Sequence, residues 1–143
     1  MLVTLFTIVA GYAGFTATGR TKVGATLLAF PNVTYNEGND YNASTGVFTC
    51  RIPGQYWFSV SLTKHYNDIN TEVFCFLSKN DRNWLSIYHK NPHHHDISYS
   101  LSASGGVHLR PGDRIRVADC NHPEAIYAST DTHFSGMLIN PDY

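Results

Sequence analysis

Residues 54–65 read Gly-Gln-Tyr-Trp-Phe-Ser-Val-Ser-Leu-Thr-Lys-His, and this stretch decides the fold. Side chains of a strand alternate between two faces, so Tyr56, Phe58, Val60 and Leu62 share one side. Trp57, Ser59, Ser61 and Thr63 share the other. The first face packs on a core; the second, mostly hydroxylic, meets solvent or a neighbouring subunit. No helical period holds over a useful window elsewhere. Strand-like runs recur instead at 15–18, 26–30, 47–51, 71–77, 84–88, 97–104 with 107–109, 114–118 and 134–139. Gly, Pro, Asn and Asp punctuate them.

The punctuation has turn chemistry. Gly38 within Asn36–Asn39, Gly46 after Ser44-Thr45, and Gly54 after Pro53 each offer a positive φ. Arg110-Pro111-Gly112-Asp113 places Pro and Gly at the central positions of a type II turn. Gly105-Gly106, inside a strand-like run, points to a bulge or a tight approach. About nine short strands in one domain indicate an all-β jelly roll of two antiparallel sheets.

Composition narrows the function. The chain has 143 residues, one domain's worth. Charged residues make up 15% and the net charge is −1, so there is no basic excess to neutralise a phosphate backbone and no nucleic-acid partner is expected. Hydrophobic residues at 43% fill a core, and with aromatics at 13% they exclude disorder. The longest apolar run is too short and too broken by Thr to span a bilayer. Residues 1–13 read either as a short signal peptide lacking a basic start or as an ordinary strand, leaving 14–143 as the globular domain. Cys50, Cys75 and Cys120 lack zinc-finger spacing and allow one internal disulfide, whose pair the sequence does not choose. Asn32-Val-Thr and Asn42-Ala-Ser are glycosylation triplets, which favour a secreted chain. No Gly-x-Ser-x-Gly, His-Glu-x-x-His or P-loop is present, so no enzyme is expected.

Phe30, Asn36, Tyr41, Phe48, Gly54, Tyr56 and Phe58 stand at a spacing that resembles the C1q globular-head family, relatives of the tumour-necrosis-factor jelly rolls. Val60 departs from it, standing where an aromatic is expected. Downstream, Gly106-Val-x-Leu-x-x-Gly-Asp113, Ile126-Tyr-Ala-Ser and Phe134-Ser-Gly-Met-Leu-Ile139 resemble that family's later strands in the correct order. The resemblance implies a ten-stranded jelly-roll sandwich, assembly as a homotrimer, and a secreted recognition protein. The expected function is lectin-like binding of glycans or microbial surface patterns in innate immunity. A matrix component or a cytokine-like trimer gripping a protein receptor is the alternative.

Binding residues of such sandwiches usually lie on loops at their ends. The candidate loops are 66–70, 80–83, 89–96 and 119–131. Within or beside them Tyr66, Asp81, Arg82, Trp84, His93, His94 and His95 suit sugars, whose hydroxyls need donors and acceptors while an aromatic covers the ring face. No cofactor is required. The resemblance implies a calcium site in some members, with Asp81 at one acidic position and His89 at the other. Imidazole in place of a carboxylate removes a hard oxygen ligand and turns that site towards zinc or another transition metal. The histidine-rich run from His89 to Asp96 offers the same chemistry, and its plain reading is a solvated loop.

Overall fold

The computed structural model describes residues 11–65, 72–89 and 98–142. Twelve strands run through them. They are β1 (Gly14–Thr18), β2 (Thr21–Val23), β3 (Leu27–Ala29), β4 (Asn32–Glu37), β5 (Tyr41–Asn42) and β6 (Val47–Thr49). They continue as β7 (Gly54–Lys64), β8 (Phe74–Lys79), β9 (Arg82–Tyr88), β10 (Tyr99–Leu109), β11 (Arg114–Ala118) and β12 (His133–Pro141). One 3-10 turn, Pro123–Ala125, interrupts them.

The strands form two antiparallel sheets. The first runs β10-β7-β12-β1-β4. The second is organised around β11. Val117 faces Leu28 of β3 on one side and Leu77 of β8 on the other. Ile115 faces Phe48 of β6 and Lys79 of β8. β3 and β6 therefore lie end to end along one edge of β11, extended by β2 and β5, while β8 and then β9 complete the opposite side. Counting end-to-end pieces as one, each sheet is five positions wide, so twelve segments fill a ten-stranded jelly roll.

The sheets meet over an aromatic seam. On β7 every second residue from Tyr56 to Leu62 is fully buried, as the period of two requires. Phe15 stacks on Tyr41 with centroids 4.4 Å apart and meets Phe134 edge-on at 4.9 Å. Phe48 meets Phe58 edge-on at 5.4 Å. Burying such a ring contributes about 1.5–3 kcal/mol. The Tyr41 hydroxyl is buried too. It donates to the Phe30 carbonyl at 3.0 Å and accepts the Phe30 N–H at 2.9 Å. That burial pushes its pKa up to about 12.

Three local readings change. Gly54 has no positive φ; it opens β7 where a Cβ would come 2.8 Å from the Pro141 Cα, so close backbone approach, not a turn, excludes a side chain. Gly105-Gly106 makes no bulge, because β10 pairs with β7 without a register break from Tyr99 to Leu109. Tight approach is the right alternative: a Cβ on Gly105 would lie 2.8 Å from Leu85 Cδ1. β2, β4 and β5 appear where no strand was expected. β4 is a polar edge strand, exposed on most residues, and carries none of the alternation that marks a half-buried one.

Cys75 and Cys120 form the disulfide and Cys50 is a buried free thiol. The bridge extends the β8–β11 ladder, in which Phe76 pairs with Ala118. Closing a loop of 45 residues contributes about 4 kcal/mol on the chain-entropy account.

Candidate functional site

The open edge of the sandwich between β9 and β10, each the last strand of its sheet, holds a concavity of about 420 Å³. Lys79, Asn80, Arg82, Asn83, Trp84 and Val107 line it. The β8–β9 hairpin builds most of it. Lys79 pairs directly with Arg82, leaving Asn80 and Asp81 as a two-residue turn. Both have left-handed backbones, φ 51° and 66°, which Asn and Asp tolerate best after glycine.

The turn is fastened to β11. The Asn80 side-chain amide donates to Asp113 at 2.9 Å, its Oδ1 accepts the Arg114 N–H at 2.9 Å, and its backbone N–H donates to the Arg114 carbonyl at 2.9 Å. Asp113 also accepts the Arg110 N–H at 2.8 Å. The Arg110 N–H and then the Asn80 amide hold its carboxyl below the usual carboxylate range. Lys79 Nζ crosses the edge to donate to the His108 carbonyl at 3.2 Å and sits 3.9 Å from Asp113. The turn is therefore tied to both sheets.

These ties leave a defined set of groups for a ligand. Among the described residues Arg82 is exposed and makes no side-chain hydrogen bond or ion pair. Lys79 is already beside the Asp113 carboxylate, so Arg82 is the cation of the cleft that favours an anion. Asn83 uses its NH₂ on Asp119 at 2.9 Å and keeps Oδ1 as an acceptor. Trp84 is half-buried, edge-on to Phe58 at 6.4 Å, and presents its remaining surface to the concavity.

The other expected residues separate. Asp81 turns outward to an exposed ion pair with Arg114 at 3.2 Å. His89 follows the far end of β9, roughly 25 Å along the strand from Asp81, and its ring lies 5.6 Å from that of Tyr99. Within one subunit the two do not share an ion, and no cluster of three His, Cys, Asp or Glu occurs among the described residues. Tyr66, His93, His94 and His95 lie outside the described residues. Lys79 escaped the sequence reading, although a Lys and an Arg flanking an Asn-Asp turn signal an opposed pair. Cys50 donates to the Ile52 carbonyl at 3.2 Å, and burial raises its thiol pKa.

A second surface stands out. On the outer face of the first sheet Trp57 and Met137 are direct cross-strand neighbours, 44% and 56% exposed, and Tyr35 lies beside them on a shallow dimple floored by Thr16 and Ser135. Ser59, Ser61 and Thr63 continue this face along β7.

Two antiparallel sheets packed over an aromatic seam define the jelly-roll class of all-β folds. The sequence profile of the C1q domain matches residues 10–139, and the chain belongs to that family. It is 35% identical over 126 residues to complement C1q tumor necrosis factor-related protein 5 of Rattus norvegicus, covering 82% of this chain and 48% of the relative. The human counterpart is 34% identical over 124 residues, with 81% and 47% covered. The chain thus spans about half the length of the curated relatives it matches. Among solved structures, the globular domain of zebrafish complement 1qA superposes with a TM-score of 0.72 at 20% identity, over 91% of this chain and 99% of that one. Murine APRIL superposes with a TM-score of 0.68 at 14% identity, over 90% and 99%. These two likenesses show the fold alone.

Proposed function

We propose that the protein is a secreted C1q-domain recognition module that assembles as a homotrimer and binds glycans on microbial or host surfaces at the β9–β10 cleft. The cleft carries the reading. It sets a half-exposed indole beside a guanidinium and an amide oxygen, the combination that meets a sugar's apolar face, an acidic substituent and a hydroxyl. Arg82, with no carboxylate partner among the described residues, favours saccharides bearing carboxylate or sulfate over neutral ones. The apolar patch of Trp57, Met137 and Tyr35 supplies a surface for subunit association. Three weak sites then act together on a repetitive surface. A disulfide is at home in an oxidising compartment, which supports secretion. No helix among the described residues is long and apolar enough to cross a membrane.

A glycan array probed with protein sized by light scattering, with and without chelator, tests this. Trimer-sized protein should bind acidic saccharides, and Arg82→Ala should weaken that binding without changing the oligomer. Trimeric protein that binds no saccharide would overturn the lectin reading. The cytokine-like reading is favoured by one observation, the relatives whose names join C1q to tumor necrosis factor. It predicts a protein receptor whose binding free sugar does not compete.

A further inference from the structure

The two glycosylation triplets are alike in sequence and unlike in structure. At Asn42 the side-chain oxygen accepts the Ser44 N–H at 2.9 Å, the Ser44 hydroxyl at 2.9 Å and the Thr45 N–H at 3.3 Å. Every partner lies within three residues, so the chain can form this turn before the sandwich closes. The amide nitrogen makes no protein hydrogen bond among the described residues, and Asn42 is exposed at the β5–β6 hairpin. Beside it lies a concavity of about 290 Å³, lined by Val33, Asn36, Asn39, Tyr41, Asn42 and Ala43. Asn36 is held at both ends by the Tyr41 backbone, which leaves the Asn39 amide for a polar group of a first sugar and Val33 for its apolar side.

Asn32 is placed otherwise. It lies on β4 opposite Thr18, and its side chain shares the outer face of the first sheet with Thr18, Thr16 and Tyr35. The hydroxyl of its triplet, Thr34 Oγ1, donates to the Thr16 carbonyl at 3.3 Å instead of meeting Asn32. Its amide nitrogen is packed over Gly19, 2.8 Å from where a Cβ would stand. A bulky oligosaccharide here would overhang the sheet face that carries Trp57 and Met137.

We propose that Asn42, and not Asn32, is the acceptor of an N-linked oligosaccharide. The donor is an oligosaccharide on a polyprenyl diphosphate, the class of carrier used in the secretory pathway. Asn42 Nδ2 forms a bond to the anomeric carbon of the first N-acetylglucosamine and gives up one proton, which passes to solvent. The bond from that carbon to the diphosphate oxygen breaks, and the polyprenyl diphosphate leaves. No electrons are exchanged. The modified hairpin then belongs to solvent, away from both the Trp57 face and the β9–β10 cleft. The proposal rests on the secreted reading.

The test has two arms in cultured animal cells, one with the native sequence and one with a heterologous secretory leader ahead of it. Protein from each is digested and mass-mapped before and after peptide N-glycosidase, which leaves Asp where a glycosylated Asn stood. The expected result in the leader arm is conversion at position 42 alone. Asn42→Gln and Ser44→Ala should each abolish the enzyme-sensitive mass, and Asn32→Gln should keep it. Leader-driven protein in the medium that is unmodified at Asn42, or modified at Asn32 as well, overturns the site assignment. Retention of the native-sequence arm inside the cell, beside a glycosylated leader arm, overturns the reading of residues 1–13 as a signal peptide and leaves the site standing.

Discussion

The aromatic seam and the β8–β9 hairpin are held in opposite ways. The seam depends on residues far apart in the chain: Phe15 on β1, Phe48 on β6, Phe58 on β7 and Phe134 on β12 converge through burial alone. The hairpin depends on a two-residue turn and a handful of hydrogen bonds to Asp113, Arg114 and His108. Burial is non-directional and redundant, so the seam sets the fold and tolerates shape-preserving change. Hydrogen bonds are directional, so the hairpin sets the positions of individual charges. Stability is therefore concentrated in one region and the placing of exposed charges in the other.

Phe58→Ala gives that contrast its hardest test. Emptying the centre of the seam should cost about 3–5 kcal/mol in denaturant unfolding, whereas Arg82→Ala should stay within about 0.5 kcal/mol of the wild type. Equal losses would erase the distinction. Replacing Cys75 and Cys120 together by Ala should cost up to about 4 kcal/mol and show whether the bridge supports the seam or the cleft; an unchanged thermal midpoint would contradict the chain-entropy account. Arg82→Ala should instead lower affinity for an acidic saccharide about tenfold, roughly 1.4 kcal/mol, read by titration calorimetry.

Acid sharpens the comparison further. The Asp113 carboxyl is depressed in the folded state, so its contribution is present above its unfolded value of 3.8 and fades as pH falls through the lower folded value. Between pH 4 and pH 2 the amide of Asn80 should lose hydrogen-exchange protection before those of β7 do; simultaneous loss would mean that the hairpin is no separate unit. The smallest effect belongs to Asp81→Asn. It removes an exposed ion pair with Arg114 and should change stability by less than about 0.5 kcal/mol.

The seam was legible because spacing reports it. Phe30, Phe48, Phe58 and Phe134 have side chains with no polar group to expose, Tyr56 satisfies its hydroxyl on the Ile52 carbonyl at 2.6 Å, and all five are fully buried. The cleft was legible only in part. Arg82 and Trp84 come together because β9 carries both, but Asp81, one residue earlier, is captured by Arg114 from 33 residues away, a contact no local pattern encodes. Lys79 joins the site through register, which pairs it with Arg82 only once the Asn80-Asp81 turn is fixed. β4 was missed because an exposed edge strand has no buried face to write into its sequence. The disulfide needed the β8–β11 pairing before Cys75 could be matched with Cys120.

The bare Cα of Gly105 has a bearing on the packing behind the cleft. Its missing side chain lets Leu85 tuck under β10, with Trp84 3.4 Å from where a methyl would stand. A single methyl added there would press on Leu85 Cδ1 at 2.8 Å and move it aside, while meeting the Trp84 ring at ordinary contact distance. The packing behind the groove is thus shaped from the opposite sheet, by a position that contributes no chemistry of its own.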